Sequence, residues 1–388
     1  MRYVDEFRDA ALARGIARAI AAEVRPDRTY RFMEFCGGHT HAIARYGVPD
    51  LLPPNVQMIH GPGCPVCVLP VGRIDMAIRL ALEHHAIVCT YADTLRVPAS
   101  GGLTMLRAKA QGGDIRTVYA VDDALRVARE CPEREVVFFA IGFETTTPPT
   151  AVAILQADAE GLANFSVLCC HVLTPAAIAA IVDAPASEAP EGVALDGFVG
   201  PAHVSTVIGS DPYARFASAH RKPVVIAGFE PLDVMQAILL LVRQVNDGRA
   251  EVENEFTRAV VPQGNLKAQQ LMDRVFELRE SFEWRGLGEV PDSALRLNER
   301  YARFDAERRF PLAYASIADN RACECGAILR GLKRPQACKL FGTVCTPETP
   351  MGSCMVSSEG ACAAHYTYGR HKDPDPANAA VHGAEAIP

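Results

Sequence analysis

Residues 35–69 read FCGGHTHAIARYGVPDLLPPNVQMIHGPGCPVCVL. Two apolar runs, Tyr30–Phe35 and Val56–His60, have the length and composition of strands, and each runs into a Gly-rich loop. The first loop carries Cys36, His39 and His41; the second carries His60, Cys64 and Cys67. Loops at strand ends are where α/β proteins keep their ligand-binding residues. Gly37–Gly38 and Gly61-Pro62-Gly63 let the backbone fold tightly beside the sulfurs. Three thiols and three imidazoles suit a soft transition metal, with Cys36, Cys64 and Cys67 as its ligands, or thiol redox chemistry. The pair Cys64-x-x-Cys67 stands before a helical run from Arg73 to His84, and a helix N-terminus favours the thiolate. A fall in pKa from about 8.5 to about 7 would raise the thiolate fraction at neutral pH from a few per cent to roughly half. The competing reading is a structural zinc site made of the three thiols and one histidine. The Gly, Pro and His content of both loops, and their place at strand ends, favour function.

On either side of this stretch the pattern is α/β. Residues 4–24 have helical spacing, with Val4, Phe7, Ala11, Ile16 and Ile20 on one face, and Pro26 ends the run. Further strands are predicted at Ala86–Tyr91, Ile115–Ala120, Glu135–Ile141, Ser166–Val172, Gly197–Val199 and Pro223–Ala227. Amphipathic helices alternate with them, which implies parallel sheets with helices on both faces. The strand count exceeds one small sheet. It predicts two doubly wound α/β domains flanking a cleft, residues 31–120 with the Cys36 and Cys64/Cys67 loops and residues 121–248. The helix of residues 1–30 packs on the rest, and residues 249–388 form a smaller, mostly helical or irregular C-terminal domain ending in a mobile tail. At the strand end Gly142-Phe143-Glu144, followed by Thr145, Thr146 and Thr147, two readings compete. The residues cap a helix, or Glu144 and the threonines face the cleft and hold a polar ligand or a proton. His203, after Gly200-Pro201-Ala202, reads as a cap or a packed histidine.

Composition narrows the function. A net charge of −7 leaves no basic patch for nucleic acid or an anionic membrane. The N-terminus shows no apolar signal region and no run is long enough to span a bilayer. Thirteen cysteines in such a chain are reduced, metal-bound or redox-active rather than a disulfide framework. Cys89, Cys131, Cys169 and Cys170 lie on or beside apolar segments and read as small buried hydrophobes. Neither GxxxxGK[ST] nor Cys-x-x-x-Cys-x-x-Cys occurs.

Six cysteines crowd the segment CECGAILRGLKRPQACKLFGTVCTPETPMGSCMVSSEGAC, residues 323–362. The wide spacings Cys323-x14-Cys338-x6-Cys345-x16-Cys362, with Gly and Pro between, fit an iron–sulfur cluster somewhat better than paired zinc knuckles. Cys325 and Cys354 are left over.

The run CGGHTHAIARYGVPDLLPPNVQMIHGPGCPVC, the strand end GFETTTP and the segment GSCMVSSEGAC together resemble the HypD family of [NiFe] hydrogenase maturation factors, over about residues 30–368. The resemblance implies two α/β domains around a cleft and a third carrying a [4Fe-4S] cluster. Its ligands would be Cys323, Cys338, Cys345 and Cys362, with Cys325 and Cys354 outside, Cys354 being either a packed or cleft-facing thiol or a resolving thiol beside the cluster. The resemblance also implies a cytoplasmic location and a redox-active scaffold that works with a HypC-like chaperone and a HypE-like donor, which delivers cyanide as a thiocyanate. Together they build the Fe(CN)2CO group. In this scheme Cys36 supplies a thiolate to the transient iron, His39 and His41 orient it or relay protons, and Cys64–Cys67 cycles through a disulfide. The alternatives are an iron–sulfur thiol oxidoreductase acting on a free small substrate, and a zinc-stabilised interaction protein.

Overall fold

In the computed structural model, which describes residues 5–184 and 194–369, most of the apolar runs become strands, and those at the centres of the sheets are buried on both faces. They are β1 (Tyr30–Glu34), β2 (Val56–His60), β3 (Ile87–Thr90), β4 (Ile115–Thr117), β5 (Val136–Gly142), β6 (Phe165–His171), β7 (Gly197–Pro201), β8 (Val224–Ala227) and β9 (Val252–Asn254). Every pairing among them is parallel. One sheet has the order β2-β1-β7-β8-β9 and the other β4-β3-β5-β6. Both are doubly wound, and each reverses its winding once, between β1 and β7 and between β3 and β5.

Period-two side-chain alternation sorts the core into layers. Phe32, Val199 and Val225 face one way, with Ile20 of the Ala10–Glu23 helix and Val234 of the Pro231–Asp247 helix. Met33, Phe198 and Val224 face the other way, with Tyr213 and Phe216 of the Pro212–His220 helix. In the second sheet Phe138 and Val167 face one layer, while Val137, Phe139 and Leu168 face the layer that also holds Cys64, Cys67 and Cys354. The N-terminal helix begins later than its periodicity suggests. Asp9 accepts from the Ala11 and Leu12 amides at 2.7 and 2.8 Å and starts the helix at Ala10.

The sheets do not divide the chain at residue 121. β1 and β2 share a sheet with β7, β8 and β9, so the unit built on β3–β6 is inserted within the first. The contiguous domains 31–120 and 121–248 give way to a nested pair. The cause is the ladder Phe32↔Gly197, Met33↔Phe198, Glu34↔Val199, a pairing between strands far apart in sequence that local patterning does not encode. Residues 61–70 carry the chain from the first unit to the second, and Cys64-x-x-Cys67 lies on that crossing.

Residues 249–388 also depart from the expected helical or irregular domain. β9 belongs to the first sheet, and two antiparallel ladders follow. β10 (Phe276–Leu278) pairs with β13 (Leu295–Leu297), and β11 (Ser281–Trp284) pairs with β12 (Gly288–Pro291). Gly286 and Gly288, at φ 83° and 75°, allow the tight return between β11 and β12. Trp284 is buried and donates from Nε1 to Ser293 Oγ at 2.8 Å. From Ala306 to Gly369 the described residues form short helices and irregular chain. Arg370 and the tail beyond it, like Val4, lie outside the described residues. No helix among the described residues is long and apolar enough to cross a membrane.

Candidate functional site

Cys36 follows β1 and His203 follows β7, so the reversal point of the first sheet brings them together. Cys36 Sγ lies 3.9 Å from His203 Nδ1. His203 is packed, as its sequence context suggests, with its ring centroid 4.1 Å from that of Phe229, but it is also the imidazole beside the thiol. The first Gly-rich segment is not a loop. Gly37–Tyr46 is a helix, and Cys36 is its N-cap residue without a side-chain capping bond. A Cβ at Gly38 would lie 2.6 Å from the Phe229 ring, so only glycine lets the helix start here. Glu34, fully buried, holds this start. Its carboxylate accepts from the Cys36 amide at 2.9 Å, from Thr40 Oγ1, and from His60 Nδ1 at 2.9 Å. Burial pushes the Cys36 thiol up to about 12, reinforced by the Glu359 carboxylate. Burial also lowers the pKa of His203 and of His39.

His39 and His41 both make contacts away from the Cys36 sulfur, and His39 Nδ1 is buried without a hydrogen-bond partner among the described residues. His39 Nε2 donates to the carbonyls of Ala227 and Gly228, each at 2.9 Å, and ties the helix to the end of β8. His41 stands edge-on to Tyr368, with ring centroids 5.2 Å apart. The two motif loops are knitted through backbone: the Gly37 amide donates to Gly63 O and the Gly61 amide to Glu34 O, both at 2.9 Å. A Cβ at Gly63 would sit 2.6 Å from Cys36 Cα, where backbone cannot yield. Gly63→Ala is therefore expected to destabilise the protein by roughly 1–3 kcal/mol, read as a lower midpoint in denaturant unfolding. An unchanged midpoint would show that the two loops are not in contact.

Cys64 and Cys67 sit in a one-turn helix of their own, Pro65–Val68, with Cys64 Sγ accepting from the Cys67 amide at 3.3 Å. The long helix starts only at Val71, after Pro70, and does not activate them. Burial raises the Cys67 thiol, aided by Cys354 and Cys64, against the lowering predicted from the sequence. Ser353 Oγ donates to Cys67 O at 2.9 Å and so seats Cys354 beside the pair. Cys354 is fully buried, and its neighbours Cys325, Cys362 and Cys67 lower its pKa against the effect of burial. It stands between the Cys64–Cys67 pair and the C-terminal cysteines.

Those cysteines surround one small cavity. Cys323, Cys325, Cys338, Cys345 and Cys362 line it, together with Ile328, Leu340, Phe341 and Met355. The Gly352 backbone presses against the Cys323 and Cys325 sulfurs so closely that a Cβ there would collide with both. The Met351 amide donates to Cys345 Sγ at 3.4 Å. All four predicted ligands are present, and Cys325, predicted to stand outside, is a fifth thiol on the wall.

A family model described as HypD, hydrogenase formation hypA family, matches residues 11–369. The hydrogenase maturation factor HypD of Cupriavidus necator is 69% identical over 373 residues, which cover 96% of this chain and 98% of that protein. The Azotobacter vinelandii HypD is 65% identical, over 96% and 98% of the two chains. The Escherichia coli (strain K12) HypD is 45% identical, over 95% and 98%.

The chain belongs to the HypD family.

HypD proteins are hydrogenase maturation factors, and the match takes in every cysteine group described above. The strand end that carries Glu144 does not face an open cleft. Glu144 is buried and accepts from the Thr174 amide at 2.8 Å and from Thr174 Oγ1 at 3.0 Å. Thr146 and Thr147 donate to Phe143 O, so their hydroxyls serve their own turn. Burial raises Glu144 from 4.5 to about 7. Between those values the folded state binds more protons than the unfolded one, so stability falls as pH rises, by about 3 kcal/mol in all. Glu144→Gln should therefore lose less Tm than wild type between about pH 5 and about pH 8. Equal losses in the two proteins would show that Glu144 carries no such penalty.

The sequence singled out neither Glu34 nor the pairing of His203 with Cys36, and it left Cys354 outside the cluster as a packed or resolving thiol. The signal for His203 was its place after a strand end. Only the neighbouring of β7 and β1 gives that place meaning.

Proposed function

We propose that this HypD-family chain is a redox-active scaffold on which the Fe(CN)2CO group of a [NiFe] hydrogenase is assembled, together with a HypC-like chaperone and a HypE-like cyanide donor. The observation that carries this reading is the succession of cysteines from Cys64 and Cys67, tied to the Cys354 segment by the Ser353–Cys67 hydrogen bond, to the five thiols around the cavity, with the Cys64 loop knitted to Cys36 through the Gly37–Gly63 contact.

The iron with its cyanide and CO ligands is the cargo, and Cys36 is its thiolate on this chain. A thiol at about 12 is ionised to only about one part in 10^5 at neutral pH, so free Cys36 is chemically quiet. It becomes a ligand when a metal displaces its proton. His203, kept neutral by burial, stands 3.9 Å away to accept that proton. The second thiolate comes from a cysteine of the chaperone.

Releasing cyanide from a thiocyanate takes two electrons. The dithiol Cys64–Cys67 supplies them: its S–S bond forms, the donor's S–CN bond breaks, and the two protons go to the leaving thiol and to cyanide. Cys64 caps the one-turn helix that carries Cys67, and the Cys67 amide reaches Cys64 Sγ at 3.3 Å, so the two residues stand together on one turn. Cys354 lies on the cavity side of Cys67, and its thiol can exchange into the disulfide, which moves the S–S bond and frees one thiol. Regenerating both thiols takes two further electrons and two protons from a reductant, the electrons relayed by a cluster held in the cavity.

The cavity suits an iron–sulfur cluster: its donors are soft thiols, its other walls are apolar, and a backbone amide points at the Cys345 sulfur. Cys323, Cys338, Cys345 and Cys362 would hold a [4Fe-4S] cluster, leaving Cys325 turned to Cys354. When bound, such a cluster supplies electrons one at a time.

Anaerobic purification with the chaperone, followed by infrared spectroscopy, tests the reading. CN and CO stretches, with iron and sulfide in the protein, are the expected result. A complex with zinc in place of iron and no such bands would overturn it.

A further inference from the structure

Cys36 and the cavity are joined by a second route, made of imidazoles rather than thiols. The Ala361–Tyr368 helix carries Cys362 in its first turn and His365 one turn on. His365 Nε2 lies 2.9 Å from His60 Nε2, and His60 Nδ1 lies 2.9 Å from Glu34 Oε1. The other oxygen of Glu34 accepts from the Cys36 amide at 2.9 Å. On its far side His365 Nδ1 is 2.7 Å from Gln336 Nε2, two residues before Cys338. His365 is thus held by the helix of one cavity cysteine and by the neighbour of another, and reaches the Cys36 backbone through two side chains.

The polarity of the chain follows from its ends. Gln336 Nε2 donates to His365 Nδ1, so His365 Nε2 donates to His60, and His60 Nδ1 donates to the Glu34 carboxylate. All links then point one way. Nothing in the thiol run requires these two histidines, and neither lines the cavity.

We propose that His365 is a positioning residue that couples the state of the cysteine cavity to Cys36. When the cavity cysteines are anchored, Cys362 and Cys338 fix the helix and Gln336 on either side of His365. His365 then holds His60 against Glu34, and Glu34 holds the N-cap of the Gly37–Tyr46 helix closed over the Cys36 thiol. With an empty cavity the chain slackens and Cys36 is exposed more often. By reciprocity, a ligand on Cys36 favours the loaded cavity. This inference rests on the cluster reading above.

The test is the rate of Cys36 alkylation by N-ethylmaleimide, followed by peptide mass, on the full chain with and without reconstituted iron and sulfide. In wild type the loaded protein should react about 5-fold or more slowly than the empty one, a coupling of ordinary size. In His365→Ala the two rates should converge while iron and sulfide content is kept, a separation that a purely structural residue would not produce. His365→Gln, whose amide reaches the Nε2 position, should restore the difference. His60→Ala should behave as His365→Ala and carries the test if that variant does not hold the cluster. Wild-type protein that binds no iron and sulfide removes the cluster reading and the inference with it. Loaded protein whose rate difference survives both alanine variants overturns the inference alone.

Discussion

Cys36→Ala is expected to abolish iron–cyanide loading while leaving the iron and sulfide of the C-terminal cavity unchanged. The substitution removes one sulfur and nothing that holds the fold. Cys36 makes no side-chain capping bond, and the start of its helix is fixed by its backbone amide on Glu34 and by the Gly37–Gly63 contact. Cys36 is also absent from the cavity wall. The variant should therefore purify with wild-type Tm and cluster absorbance and, in complex with a HypC-like partner, show no CN or CO stretches. Normal bands would mean that the cargo iron is held elsewhere, and the reversal point of the first sheet would lose its assigned role.

The second large effect separates the cavity cysteines from Cys354. Cys338→Ser or Cys345→Ser should bleach the cluster absorbance, because a neutral hydroxyl replaces a soft thiolate. Cys354→Ser should keep the absorbance, since Cys354 lies behind the wall and not on it. A serine there buries a hydroxyl among thiols and costs about 1–3 kcal/mol, which shows as a lower Tm and not as unfolding. The functional loss should be complete. Without the Cys354 sulfur an oxidised Cys64–Cys67 pair has no thiol partner for exchange, so thiol counting after reduction of the cluster should find the disulfide still closed. A colourless, folded Cys354→Ser protein would show that Cys354 is itself a ligand. A Cys64–Cys67 pair that is reduced as fast as in wild type would show that electrons take another way.

Much of this was legible in the residues. Runs such as Val136–Gly142 are apolar at every position, and that pattern alone identifies a strand buried on both faces. Alternation with helices then implies parallel sheets, and the crowding of thiols in two stretches separates a redox or metal function from a disulfide framework. The sequence by itself thus determined most strands of the two parallel sheets and the fold class, whereas the choice of Cys323, Cys338, Cys345 and Cys362 rests on the resemblance to HypD, and the folded chain adds Cys325 to the same wall. Tertiary structure decided the rest, because the deciding terms are long-range. The pairing of β1 with β7 nests one α/β unit inside the other and sets His203 beside Cys36, and no periodicity within either strand records its neighbour. The pKa of Cys67 reversed for the same reason. A helix N-terminus is a local feature and predicts a lowered pKa, but desolvation is set by everything packed around the group. Burial wins at Cys36 and Cys67, while Cys354, just as deeply buried, is pulled the other way by three thiols that only the folded chain assembles around it.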